Sequence, residues 1–386
     1  MPKTPVRPVR PPHRESAEPV PTEPGDTSYA SIPLLVERHL EDFLRERLDS
    51  CGRIDGDFAE IAVTRLAEFV GRGGKRLRPL FAWYGWRAAH GAASGPGTGP
   101  VLRAMSALEL LQAFALIHDD VMDGSRTRRG APSVHAGFAR AHRRERWSGS
   151  ADGFGTSLAI LLGDIALAWA DDMLAGAGLS PAQWTAARGP WQAMRTEMMA
   201  GQFLDVYGQA RRDGSEATAL KTNRLKTAAY SVERPLHMGA ALAGADRAVV
   251  GALRGYGADV GVAFQLRDDL LGVYADPEST GKPAGEDLRE GKRTLLVALG
   301  LRRARDRGDR VSLAVIEKVL GDPGVDAGGI DAARDALTRL GARDAVEERI
   351  RDLADRGAAR LDGAAIDPAA RDALRDLAVR ATVRDH

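Results

Sequence analysis

Asp119 and Asp123 stand four residues apart at the end of an apolar run, residues 105–117, with Asp120 beside them. On a helix that spacing puts both carboxylates on one face, about one turn apart. Like charges there repel, and carboxylates next to apolar residues are costly to leave unpaired. A hard divalent cation answers that need. Mg²⁺ fits best, since it is usually held by one or two carboxylates together with substrate phosphates. A second acidic pair, Asp268 and Asp269, closes another amphipathic stretch, residues 246–274. Taken alone, either pair also suits a solvated helix end.

The cations near these acids point the same way. Lys75, Arg76 and Arg78 follow two glycines and precede Pro79, at the start of a helix whose amides and dipole favour an anion. Arg126, Arg128 and Arg129 fill the breaker-rich loop just after Asp123. Arginine pairs with carboxylates, and it also binds phosphate bidentately. Lys282, Asp287, Arg289 and Lys292 lie in the turn-rich loop after Asp269. Carboxylates, Mg²⁺ and many cations together describe a site for diphosphates. Leu110, Leu111, Phe114 and Ala115 make the adjoining helix face apolar, and a site ionic at one end and greasy at the other suits an isoprenoid diphosphate. No Gly-rich loop with Lys-Ser or Lys-Thr follows a strand, and no His pair has zinc-ligand spacing.

These groups must be held by helices. From Tyr29 onward, 3.6-residue periodicity repeats at residues 32–44, 58–70, 101–122, 156–175, 181–207 and 246–274. Residues 90–100 and 142–155 read as loops, and no convincing strand or fixed-period repeat is found. The fold class is all-α. Residues 1–27 form a Pro/Arg/Glu-rich leader expected to be disordered, and residues 28–386 form one domain. The 386 residues, 44% hydrophobic and with net charge +1, give no sign of a nucleic-acid partner. The single cysteine, Cys51, excludes an internal disulfide and suits the cytoplasm. No uninterrupted apolar run reaches the ~18 residues that span a bilayer.

From Gly73 to Leu296 the chain resembles the trans-isoprenyl diphosphate synthases, the polyprenyl synthetase family. The resemblance rests on seven motifs in order: the Lys75/Arg78 turn, Asp119 to Asp123, Arg128 with Arg129, Gly201-Gln202 with Asp205, Lys226-Thr227, Phe264-Gln265 with Asp268-Asp269, and Gly281-Lys282. It implies a single large helical bundle of the isoprenoid synthase type with a central active-site cavity. It also implies a homodimer that condenses isopentenyl diphosphate with an allylic diphosphate. By that resemblance Asp119, Asp123 and Asp268 hold three Mg²⁺ ions, supported by Asp120 and Asp269. Arg128, Lys226 and Lys282 bind the allylic diphosphate, while Lys75, Arg78, Gln112 and Arg129 bind isopentenyl diphosphate. Thr227 and Gln265 steady the allylic cation.

Two positions depart from the family pattern. Gly272 stands where a third aspartate is common, which leaves Asp276 and Asp287 as replacements. Gln112 stands where a histidine is common; it can donate a hydrogen bond but carries no charge. Phe114 lies roughly 7.5 Å up the helix from Asp119, with small Ala115 beside it. By resemblance that pattern implies geranylgeranyl diphosphate (C20), ahead of farnesyl (C15) and longer chains. Leu111 is the other candidate for the floor. A terpene cyclase would need an acid where Ser231 follows Asn223 and Thr227. A regulatory partner subunit would be expected to lose an acidic cluster or its cationic anchors, and this chain keeps them.

Overall fold

Capping side chains mark where the helices begin. Ser180 accepts a hydrogen bond from the Gln183 amide while Gln183 bonds back to the Ser180 amide, with Pro181 in the first turn. Ser150, Ser215, Asp246 and Thr294 each accept from an amide three residues on. The computed structural model describes residues 31–128, 130–275 and 285–382. The leader, Arg129, Asp276 and Lys282 lie outside, in whole or in the residue named.

In chain order the helices begin with α1 (Ser31–Gly52), a π-helical turn (Phe58–Val63) running into α2 (Thr64–Gly71), α3 (Leu77–Ala88) and α4 (Thr98–Met122). Then come α5 (Val134–Glu145), α6 (Ala151–Ala175), α7 (Pro181–Ala210) and α8 (Glu216–Asn223). A second π-helical segment (Arg224–Glu233) leads into α9 (Arg234–Leu242) and α10 (Arg247–Tyr274). After α11 (Glu286–Arg289) follow α12 (Leu295–Arg307), α13 (Arg310–Val319), α14 (Ala327–Arg339), α15 (Ala342–Ala359) and α16 (Pro368–Thr382).

The all-α expectation is met with one small correction. Thr127–Arg128 (β1) and Ala131–Pro132 (β2) pair antiparallel, because Gly130 takes a positive φ of 70° and folds the Arg loop back on itself. The loop expected at residues 142–155 is also shorter. Charged residues 142–145 continue α5, and Ser150 starts α6 early by capping it.

Helix α4 is the central element. Leu102, Met105, Leu108, Leu110 and Leu111 are fully buried around it, each worth about 1.5–3 kcal/mol of apolar burial. It packs along α6 and against α3 and α1. Helix α10 joins two apolar clusters. Leu253, Tyr256 and Val260 belong to the cluster around α4, whereas Ala263, Leu266 and Leu270 belong to one built with α12 to α15. The absence of an uninterrupted apolar run needs qualifying. α4 and α6 are long and apolar enough, by length and composition, to cross a membrane. The most apolar window of α4 is 72% buried within the fold, while that of α6 is 39% buried.

Small residues set the approach of α7 and α10 to the π-helical segment. A Cβ at Gly201 would lie 2.2 Å from the Lys226 amide nitrogen, and one at Gly261 would lie 2.8 Å from the Cα of Ala228. Contacts that close leave room for glycine only, so the segment bearing Lys226 and Thr227 is clasped on both sides.

Candidate active site

A cavity of about 870 Å³ opens between α4, α7, the second π-helical segment and α10. Asp119, Arg128, Lys226, Thr227, Gln265, Asp268 and Asp269 line it, as do Arg78, Gln112, Phe114 and Ala115. Residues from both acidic motifs therefore face one space. The elements that bring them there are far apart in sequence.

On the α4 wall, full charges answer the carboxylates. Lys226 Nζ donates to Asp119 Oδ1 at 2.9 Å and to Asp205 Oδ2 at 2.6 Å. Arg128 Nε donates to Asp120 Oδ1 at 2.9 Å, and its Nη2 lies 3.5 Å from Asp119 Oδ2. Asp120 is completely buried, so it anchors Arg128 rather than lining the cavity. Lys292 Nζ stands 2.7 Å from Glu290, 3.2 Å from Asp287 and 3.8 Å from Asp123. Burial would raise the Asp119 carboxyl, but Lys226, Lys292 and Arg128 outweigh it and hold the group below its usual range. Asp123 differs. Burial and the neighbouring Asp119 charge push it up to about 6, against the pull of Lys226 and Lys292. Lys226 and Lys292 are both held protonated, because the surrounding carboxylates outweigh the cost of burying them.

Neutral partners hold the α10 wall. Asp269 accepts from Gln265 Nε2 at 2.7 Å and from Asn223 Nδ2 at 3.1 Å. Burial first, then the charge of Asp287, pushes its carboxyl up to about 7, despite those two bonds. Asn223 thus has its own task beside Asp269, and Ser231 accepts from Arg78 at 2.7 Å. Two of the three side chains at the cyclase-triad positions, Asn223 and Ser231, are therefore engaged in other ways.

Arg78 reaches the cavity from the first turn of α3. Its guanidinium donates to the Tyr230 hydroxyl at 2.9 Å and stacks over that ring at 4.5 Å. Tyr230 in turn donates to Gln112 Oε1 at 2.8 Å. Gln112 therefore holds the tyrosine that holds Arg78. Lys75 is not among the residues that line the cavity. Arg76 turns inward, donating to buried Glu109 at 2.8 Å and to the Val70 carbonyl at 2.8 Å, so it fixes the turn. Its positive φ of 45° aims the helix start towards the cavity.

The apolar end is formed by Phe114, Ala115, Leu116 and Met198. His118 meets the Phe114 ring edge-on at 4.8 Å and sits 3.1 Å from the Ile160 carbonyl of α6. Leu111 is fully buried and does not line the cavity. Residues not singled out from sequence are Tyr230, Glu290 and His118, with Asn223 weighed only as part of a cyclase triad.

No three acidic or imidazole groups among the described residues converge to hold a metal by themselves. The donors on the two walls are nonetheless hard oxygens, and burial together with neighbouring carboxylates raises Asp123 and Asp269. That set fits Mg²⁺ completed by substrate oxygens rather than a closed protein cage.

The profile described as Polyprenyl synthetase matches residues 60–323. A geranylfarnesyl diphosphate synthase of Aeropyrum pernix is 33% identical over 320 residues, covering 77% of this chain and 94% of the relative. A geranylgeranyl diphosphate synthase of Methanosarcina mazei is 33% identical, over 76% of this chain and 81% of the relative. Among solved structures, a geranylgeranyl pyrophosphate synthase of Corynebacterium glutamicum, complexed with isoprenyl diphosphate and magnesium, superposes with a TM-score of 0.89. It is 44% identical, over 92% of this chain and 99% of that one.

Proposed function

Because the chain belongs to the polyprenyl synthetase family, whose members are prenyltransferases, we propose that it joins isopentenyl diphosphate head-to-tail (1'-4) to an allylic diphosphate and stops at geranylgeranyl diphosphate, C20. The observation that carries this reading is one cavity lined both by the charged Asp119, Lys226, Asp268 and Asp269 and by the apolar Phe114 and Met198.

Asp119, Asp123 and Asp268 would hold Mg²⁺, three ions by family resemblance, with Asp269 supporting them. Bound there, the metal supplies Lewis-acid charge for the leaving diphosphate. Lys226, fixed by Asp119 and Asp205, and Arg128, fixed by Asp120, present charge where the diphosphate develops it as the C1–O bond breaks. Arg78, with Lys75 and Arg129, holds isopentenyl diphosphate so that its double bond meets the allylic C1. Thr227 and Gln265 steady the allylic cation by their dipoles. The new C–C bond forms, and the departing diphosphate takes the proton released from the adjacent carbon. Lys282 joins the diphosphate contacts by resemblance.

Chain length rests on Phe114. Its ring borders the cavity, and the leucine behind it does not. The relatives' names, farnesyl, geranylgeranyl and geranylfarnesyl diphosphate synthase, support a C15 to C25 range that includes C20. Incubation of the purified protein with Mg²⁺, isopentenyl diphosphate and each of the C5, C10 and C15 primers, followed by chromatography, tests the assignment. C20 from all three supports it; accumulation at C15 makes the enzyme a farnesyl diphosphate synthase.

A homodimer is supported by the exposed Ile160 and Leu161 of α6, since an exposed apolar helix face suits a buried partner. Sedimentation should return twice the chain mass of 41.3 kDa; a monomer would refute the pairing. The lone, buried cysteine supports a cytoplasmic setting.

A further inference from the structure

Phe114 and His118 stand one turn apart on α4, so their rings share a face of that helix. The His118 ring meets Phe114 edge-on, with centroids 4.8 Å apart and 68° between the planes. Both side chains line the cavity. The condensation chemistry gives His118 no task, although it directly precedes Asp119.

Helix α6 holds the far side of the imidazole. A carbonyl can only accept, so Nε2 carries the proton and donates to the Ile160 oxygen at 3.1 Å. Asp164 Oδ1 stands 3.7 Å from the same nitrogen. Buried Gly163 faces the ring between them. A Cβ at that position would lie 2.1 Å from Nε2 and 2.2 Å from Cδ2 of His118. The ring takes this seat only because position 163 is glycine. Glycine inside a helix is unfavourable relative to alanine, and the space that His118 occupies accounts for it here.

We propose that His118, seated on Gly163, determines product length together with Phe114: it spans from α4 to α6 and braces the Phe114 ring from its edge. The inference rests on the chain-length reading above, in which Phe114 is the floor, and adds the residue that positions that floor. The imidazole is about the size of an isoprene unit. Removing it frees that space beside Phe114. Pushing it off α6 takes space away, because the cavity is the open side into which the ring can swing.

Chromatography of the products made by the full chain from Mg²⁺, isopentenyl diphosphate and the C10 primer tests this. His118→Ala is expected to raise the ratio of C25 to C20 about tenfold, the low end of what a pocket gains by excluding a methylene. Gly163→Ala should act in the opposite sense, driving the ring into the cavity so that C15 accumulates. In the double variant, His118→Ala with Gly163→Ala, the added methyl meets no ring and the C15 accumulation should vanish. A general loosening of the α4–α6 packing would lower the rate without moving product length in opposite directions. Phe114→Ala run alongside separates the two readings. Longer products from Phe114→Ala with an unaltered ratio from His118→Ala would overturn the inference alone, as would C15 accumulation that persists in the double variant. Unaltered ratios from both would remove Phe114 as the floor and the inference with it. If Gly163→Ala fails to fold, His118→Ala decides by itself. No condensation by the unaltered protein would instead sink the prenyltransferase reading on which both stand.

Discussion

At the end of α4, Asp119 meets the ammonium of Lys226 at 2.9 Å and the guanidinium of Arg128 at 3.5 Å. At the end of α10, Asp269 meets two neutral amides, and burial drives its carboxyl up to about 7. Like residues on facing walls are therefore held in unlike ways. The α4 wall comes with its charge already neutralised, so it keeps its shape before substrate arrives. Around Asp269 the described residues supply hydrogen bonds but no cation in contact. Added positive charge gains most there, because an opposite charge in a low-dielectric site interacts strongly. Asp123 sits between the two cases, raised to about 6 and reached by Lys292 only at 3.8 Å.

The comparison is most severely tested by removing one carboxylate from each wall. Asp119→Asn takes away a group that faces the cavity and also holds Lys226 and Arg128. Steady-state assays should show kcat/KM lowered about 10²–10³-fold, the scale of losing one directed electrostatic contact. Asp269→Asn keeps one acceptor oxygen for the two amides that donate to it and should still cost less, near tenfold. Equal losses would erase the distinction between the walls.

Lys226→Ala comes next. The substitution leaves Asp119 and Asp205 facing each other without their shared cation, so the metal-free protein should melt lower by an amount set by a broken buried pair, about 3–5 kcal/mol. Mg²⁺ with pyrophosphate is expected to recover part of that loss. A metal-free melting temperature equal to that of the unaltered protein would mean that the lysine is not the counter-charge inferred here.

Asp119 and Asp269 also carry opposite pH signs. Asp269 is raised above the ordinary carboxyl value of about 3.9. Its contribution to stability is therefore full below that value and is lost as pH rises through about 7. Asp119 is lowered, so its contribution is present above the ordinary value and is lost as pH falls through the lowered one. In melts of the metal-free protein, Asp269→Asn should flatten the decline between about pH 5 and pH 8. Asp119→Asn should act on the acid limb instead. A decline of unchanged slope in Asp269→Asn would contradict the assignment.

The smallest effect on rate, and the clearest on product, is expected at the apolar end. Phe114→Ala opens the space behind the ring while leaving the diphosphate contacts in place. Products longer than C20 should appear by chromatography, with KM for isopentenyl diphosphate little changed. An unaltered product profile would remove Phe114 as the floor.

Much of this was legible in the chain. Asp119 and Asp123 declare themselves because helical spacing alone makes two carboxylates share a face, and the apolar run before them fixes that helix. The helices themselves follow from periodicity and from caps such as Ser180. The pairing partners were not legible. Lys226 and Asp119 lie 107 residues apart. Arg224–Glu233 is also π-helical, so its side chains leave the 3.6-residue register from which faces are read. Tyr230 and Ser231, which meet Arg78, lie in that segment. Asp120 looked like a third ligand in sequence, yet the fold turns it inward to hold Arg128.

The central claim is that both walls act on one diphosphate. A double-mutant cycle with Asp119→Asn and Asp268→Asn, read as kcat under saturating Mg²⁺ and primer, tests it most directly. Groups that work as a unit give strongly non-additive losses. The double variant should therefore be little worse than the poorer single variant. Losses that multiply fully would show two independent sites, and would contradict the account.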